Sequence, residues 1–155
     1  MLNNSTVSVL NELSHAINKL YGHVTLAGDN FGEPAINSGP CAPFANTFFN
    51  LWNRKFTEKV TITFIMVKSS DECWHVLIRF PNGLLFDGGL GVHSEEKYRD
   101  TFDIVDMPNY DIALLEHRSG GLDRKYPRYC PNFSIDVVSN LIEQYLNTLV
   151  NTSPY

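Results

Sequence analysis

The sequence predicts an α+β fold in which helices pack on one antiparallel β-sheet. Two observations support this fold class. Both ends of the chain carry helical patterns of apolar residues, whereas the middle carries alternating patterns and a Pro-Asn-Gly turn, which are typical of antiparallel strands. The length of 155 residues is sufficient for one domain with a buried core and short for two, so we expect a single domain over residues 1–155.

Amphipathic helices are predicted at both ends of the chain. The first covers residues 5–21 and the last covers residues 134–150, where Ser134 can cap the first turn. The apolar faces consist of Val7, Leu10, Leu13, Ile17 and Leu20 in the first helix, and of Val138, Leu141, Ile142, Tyr145 and Leu149 in the last. Residues 22–40 form a Gly/Asn-rich connection, whose length indicates a functional or a mobile segment.

The strand patterns lie between these helices. In chain order, strands are predicted over residues 59–68, 74–80, 84–87, 102–105 and 112–116. The first of them alternates clearly, with Val60, Ile62, Phe64 and Met66 on one side. Residues 119–132 are rich in glycine, proline and charge, and they are predicted to form a loop.

The segment Phe80-Pro81-Asn82-Gly83-Leu84 determines the predicted register of a hairpin. Proline favours the first central position of a type I turn, and the glycine can close the loop in a left-handed conformation. The resulting three-residue loop pairs Leu77 with Asp87, so that His75 and Asp87 share a face within side-chain reach. A two-residue loop would shift the register and place them on opposite faces. The sequence therefore predicts a histidine and a carboxylate side by side.

Cys41 is predicted at the N-terminus of a helix that continues over residues 44–55. Pro40 and Pro43 fit only the first turn, because a proline deeper in the helix would clash and remove a hydrogen bond. The unpaired N–H groups and the helix dipole at this position favour the thiolate, and the same N–H groups can stabilise an oxyanion. Cys41, His75 and Asp87 would then be the nucleophile, the general base and the residue that orients the imidazole.

Composition and charge narrow the class of protein. The net charge of −5 argues against nucleic-acid or anionic-membrane binding, and no apolar run approaches the roughly 20 residues that a membrane helix needs. The first residues lack the basic start and apolar stretch of a signal peptide. Three cysteines without CxxC spacing are typical of a reducing compartment. We therefore expect a cytoplasmic protein that binds neither nucleic acid nor membrane.

Other interpretations of the same residues stay open. Free cysteines are often inert, a strand histidine can bond to the sheet, and Asp87 can cap the glycines after it. Cys73 lies two residues before His75, would share its face, and is an alternative thiol, which we expect to be structural.

A metal site is a further alternative, with the possible ligands Cys73, His75, Asp87 and His93. Their spacing matches no recurrent ligand pattern, so we expect no metal. The basic and aromatic run at 124–129 is typical of a solvated loop or of a rim that grips an acidic substrate.

The order of these residues resembles that of papain-like enzymes. A cysteine, a strand histidine 34 residues later and an aspartate 12 residues after that are similar to the active-site order of the transglutaminase and arylamine N-acetyltransferase branch. The segments His75-Val76-Leu77-Ile78 and Leu85-Phe86-Asp87-Gly88-Gly89-Leu90-Gly91 resemble the histidine and aspartate strands of the N-acetyltransferases. The resemblance covers about residues 35–93. It implies a papain-like fold, with the helix that carries Cys41 packed against the sheet, and acyl transfer through a thioester.

The chain also differs from these families. The N-acetyltransferases carry an Arg-Gly-Gly-x-Cys element, whereas this chain has Asn37-Ser38-Gly39-Pro40-Cys41, so we expect neither coenzyme A nor another cofactor. Papain carries an upstream glutamine in its oxyanion hole. The nearest amides here are Asn30 and Asn37, and Asn37, directly before the helix of Cys41, is predicted to take that role.

The sequence thus predicts a cysteine-dependent acyl-transfer enzyme that acts on an amide, isopeptide or thioester bond of a protein, peptide or small acyl substrate. Residues 22–40 and the region after Gly91 would flank its cleft. The alternative is a papain-like scaffold that acts as a binding or inhibitory module with a vestigial triad. The geometry at Cys41 distinguishes them, because an enzyme needs the sulfur within hydrogen-bond reach of His75 at an open cleft.

Overall fold

Five α-helices and seven strands follow one another in the computed structural model, which describes residues 2–24, 32–120 and 133–152. The helices are α1 (Asn4–Tyr21), α2 (Cys41–Lys55), α3 (Glu96–Arg99), α4 (Ile112–Ser119) and α5 (Ile135–Thr152). The strands are β1 (His23–Val24), β2 (Glu33–Pro34), β3 (Thr61–Val67), β4 (Cys73–Arg79), β5 (Leu85–Asp87), β6 (Gly91–His93) and β7 (Phe102–Asp106). A 3-10 turn at Ala35–Asn37 precedes α2. This content confirms the predicted α+β class.

One antiparallel sheet of five strands organises the fold, in the order β6-β5-β4-β3-β7. Strands β3 and β4 lie inside it, and every residue from Ile62 to Met66 is buried. The short strands β1 and β2 form a separate antiparallel pair. The site described below lies where the central strand β4 meets the end of β5.

The long helices form where the sequence predicts them. In α1, the Asn3 side chain accepts the N–H of Thr6 at 2.9 Å, which caps the first turn, and Leu10, Leu13 and Ile17 are fully buried. In α5, the backbone oxygen of Ser134 accepts the N–H of Val138 at 3.1 Å. α1 and α5 contact each other, and α5 also contacts α2.

Aromatic side chains hold α2 against the sheet. The ring of Phe48 lies 4.9 Å from that of Phe86 on β5, and Trp52 lies 5.0 Å from Phe80 at the end of β4. All four are buried, and full burial of one such side chain contributes about 2 kcal/mol. This packing fixes the position of the whole helix, including its first residue, Cys41.

One predicted strand is wrong, because residues 112–116 belong to helix α4. The Asp111 carboxylate accepts the N–H groups of Ala113 and Leu114 at 3.1 and 3.2 Å, which is an N-terminal cap. Leu115 is fully buried in the main core. A short apolar run fits a strand and a helix turn equally well, and here the cap and the core contact select the helix.

Some predicted segments lie partly outside the described residues. Of the predicted loop at 119–132, only Ser119 and Gly120 are described, and Ser119 ends α4. The run at 124–129 and Cys130 lie outside, as does Asn30. Strand β6 and helix α3 are described but were not predicted. Among the described helices, none is both long and apolar enough to cross a membrane.

Candidate active site

The hairpin of β4 and β5 closes with the predicted loop. Gly83 N–H donates to the oxygen of Phe80 at 2.9 Å, and Gly83 has a φ of 92°, which an L side chain rarely adopts. The paired residues are Ile78 with Phe86 and Arg79 with Leu85. The same register sets Leu77 opposite Asp87, so the predicted three-residue loop is confirmed.

This register brings His75 and Asp87 together. Nε2 of His75 lies 2.9 Å from Oδ2 of Asp87, and the two residues are only 6% and 2% exposed. Oδ1 of Asp87 accepts the N–H groups of Gly89 at 2.9 Å and Leu90 at 2.6 Å, and also Nδ2 of Asn37 at 3.1 Å. Four donors saturate the carboxylate, which is therefore fixed in place although it is buried.

Cys41 is the first residue of α2, as the sequence predicts. Pro40 precedes it without a side-chain cap, so the first N–H groups of the helix have no partner within it. β5 ends at Asp87, before it reaches the level of His75, and α2 contacts β4. The half-buried Cys41 side chain interacts there with the His75 ring and with Val76 N–H. Because Nε2 of His75 is bonded to Asp87, Nδ1 is the nitrogen left for the sulfur.

These contacts shift the pKa values of all three groups. Burial alone would raise the pKa of Cys41, but the hydrogen bond and the positive charge of His75 outweigh it and lower this pKa. Burial alone would lower the pKa of His75, but its bonds with Asp87 and Cys41 raise this pKa to about 10. The pKa of Asp87 is lowered to about 2, against burial, mainly by His75. The lowered pKa of Cys41 and the raised pKa of His75 both shift the pair toward a thiolate and an imidazolium.

The Asn37 side chain lies next to the carboxylate of Asp87. Its amide nitrogen donates to Asp87, and the 3-10 turn that contains it directly precedes the segment leading to α2. The described contact is therefore one that orients Asp87. A role in an oxyanion hole stays a prediction for this residue.

A β-bulge separates Cys73 from His75. Ile65 pairs with His75, but Met66 pairs with Cys73, which leaves Trp74 as an extra residue of β4. Cys73 accordingly packs on the cluster that contains Met66, so the expectation that it shares the face of His75 is wrong. Its Sγ donates to the backbone oxygen of His75 at 3.3 Å. Burial and the nearby charge of Cys41 raise the pKa of Cys73 to about 12, which keeps the thiol protonated.

A second histidine, His93, lies near the carboxylate of Asp87. His93 Nδ1 faces the oxygen of Gly91 at 2.9 Å, so this nitrogen carries the proton, and Nε2 accepts from the hydroxyl of Tyr98 at 2.9 Å. Nε2 is also 4.0 Å from Oδ2 of Asp87. Among the described residues, no group of three or more His, Cys, Asp or Glu side chains is arranged to hold a metal ion.

Three polar side chains of α1, namely Asn11, Ser14 and Asn18, were not among the site residues predicted from the sequence. They bind the backbone of the segment that follows Asp87. Their spacing places them on one face of the helix, beside the apolar stripe, and that regular placement was an available signal.

Comparison with known protein families, curated proteins and solved structures found no match to this chain.

Proposed function

We propose that this chain is a cysteine-dependent acyl-transfer enzyme with a papain-like arrangement of Cys41, His75 and Asp87. The observation that supports it best is the buried contact between Nε2 of His75 and Oδ2 of Asp87, at 2.9 Å. The interaction of the same ring with Cys41 lowers the pKa of the thiol and raises that of the imidazole. A helix that starts at the thiol and packs on an antiparallel sheet is what the papain-like resemblance implies.

In the first step, the Cys41 thiolate attacks the carbonyl carbon of an amide, isopeptide or thioester, and a C–S bond forms. The negative charge that develops on the carbonyl oxygen is stabilised by the unpaired N–H groups at the start of α2. The imidazolium of His75 then donates its Nδ1 proton to the leaving nitrogen or sulfur. The bond to the leaving group breaks, and an acyl-thioester remains on Cys41.

In the second step, neutral His75 removes a proton from water or from an acceptor nucleophile, which attacks the thioester carbon. The C–S bond breaks, the acyl product leaves, and the thiolate–imidazolium pair is restored. Asp87 keeps the proton of Nε2 in place throughout, so that Nδ1 is the nitrogen that exchanges protons with the reactants. Water gives hydrolysis, and an amine or thiol gives transfer.

The surroundings of Cys41 and Asp87 support catalysis over a purely binding module. Cys41 is half-buried rather than sealed, and its neighbours include an imidazole and an N–H group. A vestigial site has no need for the four hydrogen bonds that fix Asp87. The two described cysteines are free, which supports a reducing compartment such as the cytoplasm.

Acyl trapping tests the proposal. The protein is mixed with p-nitrophenyl acetate, a small activated acyl donor, and the release of p-nitrophenolate is followed together with the mass of each cysteine peptide. We expect a fast phase that acetylates Cys41, followed by slower turnover. Cys41→Ser should abolish both, whereas the matched variant Cys73→Ser should retain them. Equal release by wild type and Cys41→Ser would contradict the proposal.

The stability of the same variant adds a second measurement. Replacement of sulfur by oxygen at a half-buried, hydrogen-bonded position should change the melting temperature little. If Cys41 were a core thiol, the new hydroxyl would cost about 1–3 kcal/mol. A marked loss of stability in Cys41→Ser would favour the binding module.

A further inference from the structure

Three polar side chains of α1 bind the backbone of residues 88–92. Ser14 Oγ donates to the oxygen of Gly88 at 2.9 Å, and Asn18 Nδ2 donates to the oxygen of Gly89 at 2.8 Å. Asn11 Oδ1 accepts the N–H of Val92 at 2.9 Å. Positions 11, 14 and 18 share one helix face, so all three bonds reach the segment from the same side.

The bound segment is also the one that holds the carboxylate. The N–H groups of Gly89 and Leu90 donate to Oδ1 of Asp87, while His75 occupies Oδ2. A continuous series of hydrogen bonds therefore runs from α1 through this backbone to Asp87 and His75, and His75 contacts Cys41.

Residues 88–92 need such support because they carry little side chain of their own. Gly91 has a φ of 76°, and an added Cβ there would collide with the Asn11 side chain. An added Cβ at Gly88 would lie 3.0 Å from the Phe44 ring. The backbone of residues 88–92 thus packs closely against α1 and α2. The hydrogen bonds from α1 supply the restraint that larger side chains in this segment would otherwise provide.

We propose that Asn11, Ser14 and Asn18 are positioning residues, which hold residues 88–92 so that Asp87 stays aligned with His75 and Cys41 stays reactive. This inference rests on the proposed function, because it assigns these residues a role in activating the nucleophile. They touch neither the thiol nor the imidazole in any described hydrogen bond, and they act through the backbone between them.

The same change, asparagine to aspartate, tests the inference at two positions, where it should keep one hydrogen bond and break the other. Asn11 uses its side-chain oxygen as an acceptor, so Asn11→Asp keeps the bond to Val92. Asn18 uses its nitrogen as a donor, so Asn18→Asp sets an oxygen against the oxygen of Gly89. Both variants add one negative charge to the same face of α1, so a general effect of added charge is common to the two.

The measurement is the pH profile of Cys41 alkylation by iodoacetamide, followed by peptide mapping in the full chain. In Asn18→Asp we expect the thiolate titration to move to higher pH, with a rate at pH 6 that is roughly threefold to tenfold below wild type. Asn11→Asp should stay within about twofold of wild type. The titratable groups around the thiol, namely His75, Asp87, His93 and Cys73, are unchanged in both variants.

Further variants separate positioning from folding. Ser14→Ala removes one bond without adding charge and should shift the profile in the same direction as Asn18→Asp. Ser8→Ala, at an exposed position of the same helix, should not. Ile17→Val weakens the packing of α1 and should lower the melting temperature without moving the profile. This last variant shows how a loss of stability alone affects the pH profile of Cys41 alkylation.

The outcomes are distinct. Profiles of Asn18→Asp and Ser14→Ala that coincide with wild type, in folded protein, would overturn the inference and leave the proposed function standing. A wild-type Cys41 that titrates as an ordinary thiol would overturn the proposed function and the inference with it.

Discussion

Nε2 of His75 and Oδ2 of Asp87 lie 2.9 Å apart and are buried together, although 12 residues separate them in the chain. The hairpin loop sets this distance through its register, and the bond commits one ring nitrogen to the carboxylate. The other nitrogen is thereby left for Cys41. The direction in which protons move in the proposed reaction follows from this one contact.

Asp87→Asn should reverse the imidazole tautomer. The new amide oxygen can keep the N–H donors that now reach Oδ1, so its NH₂ group must point at Nε2 of His75. Nε2 must then accept, the ring proton moves to Nδ1, and Nδ1 can no longer take a proton from a nucleophile. We expect turnover of p-nitrophenyl acetate to fall by about 10³–10⁴-fold. The exposed variant Asp100→Asn is the control, and a loss of less than about tenfold would contradict the proposed role.

Iodoacetamide should distinguish the two described cysteines at neutral pH. The pKa of Cys41 is lowered while that of Cys73 is raised to about 12, so Cys41 should react at least about 100-fold faster. Peptide mapping gives both rates, and that of Cys130, in one experiment. His75→Ala should slow the labelling of Cys41, because the thiolate loses its cation. Equal labelling, or a preference for Cys73, would argue against Cys41 as the nucleophile.

The free energy of unfolding should depend on pH through both members of the His75–Asp87 pair. The pKa of Asp87 is lowered from 3.8 to about 2, so its contribution is complete above about pH 4 and lost as the pH falls toward 2. The pKa of His75 is raised from 6.5 to about 10, so its contribution is complete below about pH 6.5 and lost as the pH rises toward 10. Urea unfolding between pH 6 and 10 measures the second effect.

The control for this pH dependence is a comparison of two histidines. The difference in stability between wild type and His75→Gln should narrow steadily above about pH 6.5. The exposed variant His15→Gln should leave the alkaline decline unchanged. A difference between wild type and His75→Gln that stays constant up to pH 10 would show that His75 is not held as an imidazolium.

Gly89→Ala should disturb the carboxylate directly. An added Cβ would lie 2.5 Å from both Asn37 Nδ2 and Pro34 Cβ, so the backbone that donates to Asp87 has to shift. We expect a destabilisation of about 1–3 kcal/mol and slower alkylation of Cys41. At Gly83 an added Cβ would meet nothing within 4 Å, so Gly83→Ala carries only the strain of a positive φ. This control should lose stability and keep the reactivity of Cys41, and the same loss of reactivity in both variants would refute the steric explanation.

Local rules allowed much of this site to be predicted from the sequence alone. Proline, asparagine and glycine in that order specify the loop, and the loop specifies which residues of the hairpin share a face. Two prolines restrict where a helix can start, which placed Cys41 at its first residue. Each of these inferences involves residues that are close in the chain, where backbone sterics decide the outcome.

Where several local structures were compatible with the sequence, only the tertiary structure decided which of them formed. Residues 112–116 became a helix because Asp111 caps it and Leu115 reaches the core, and neither contact is visible in a short apolar run. The bulge at Trp74 moved Cys73 to the other face of β4, although alternation predicted otherwise. Packing against neighbouring elements selects among conformations that differ little in intrinsic preference.

The support of the carboxylate also belongs to the tertiary structure. The bonds from Asn11, Ser14 and Asn18 to residues 88–92 span more than 70 positions of the chain. Sequence periodicity identified the buried face of α1, but not what that face would meet. The type of a turn and the start of a helix depend on neighbouring residues. A hydrogen bond between distant segments, in contrast, forms only after the apolar core has brought their backbones together.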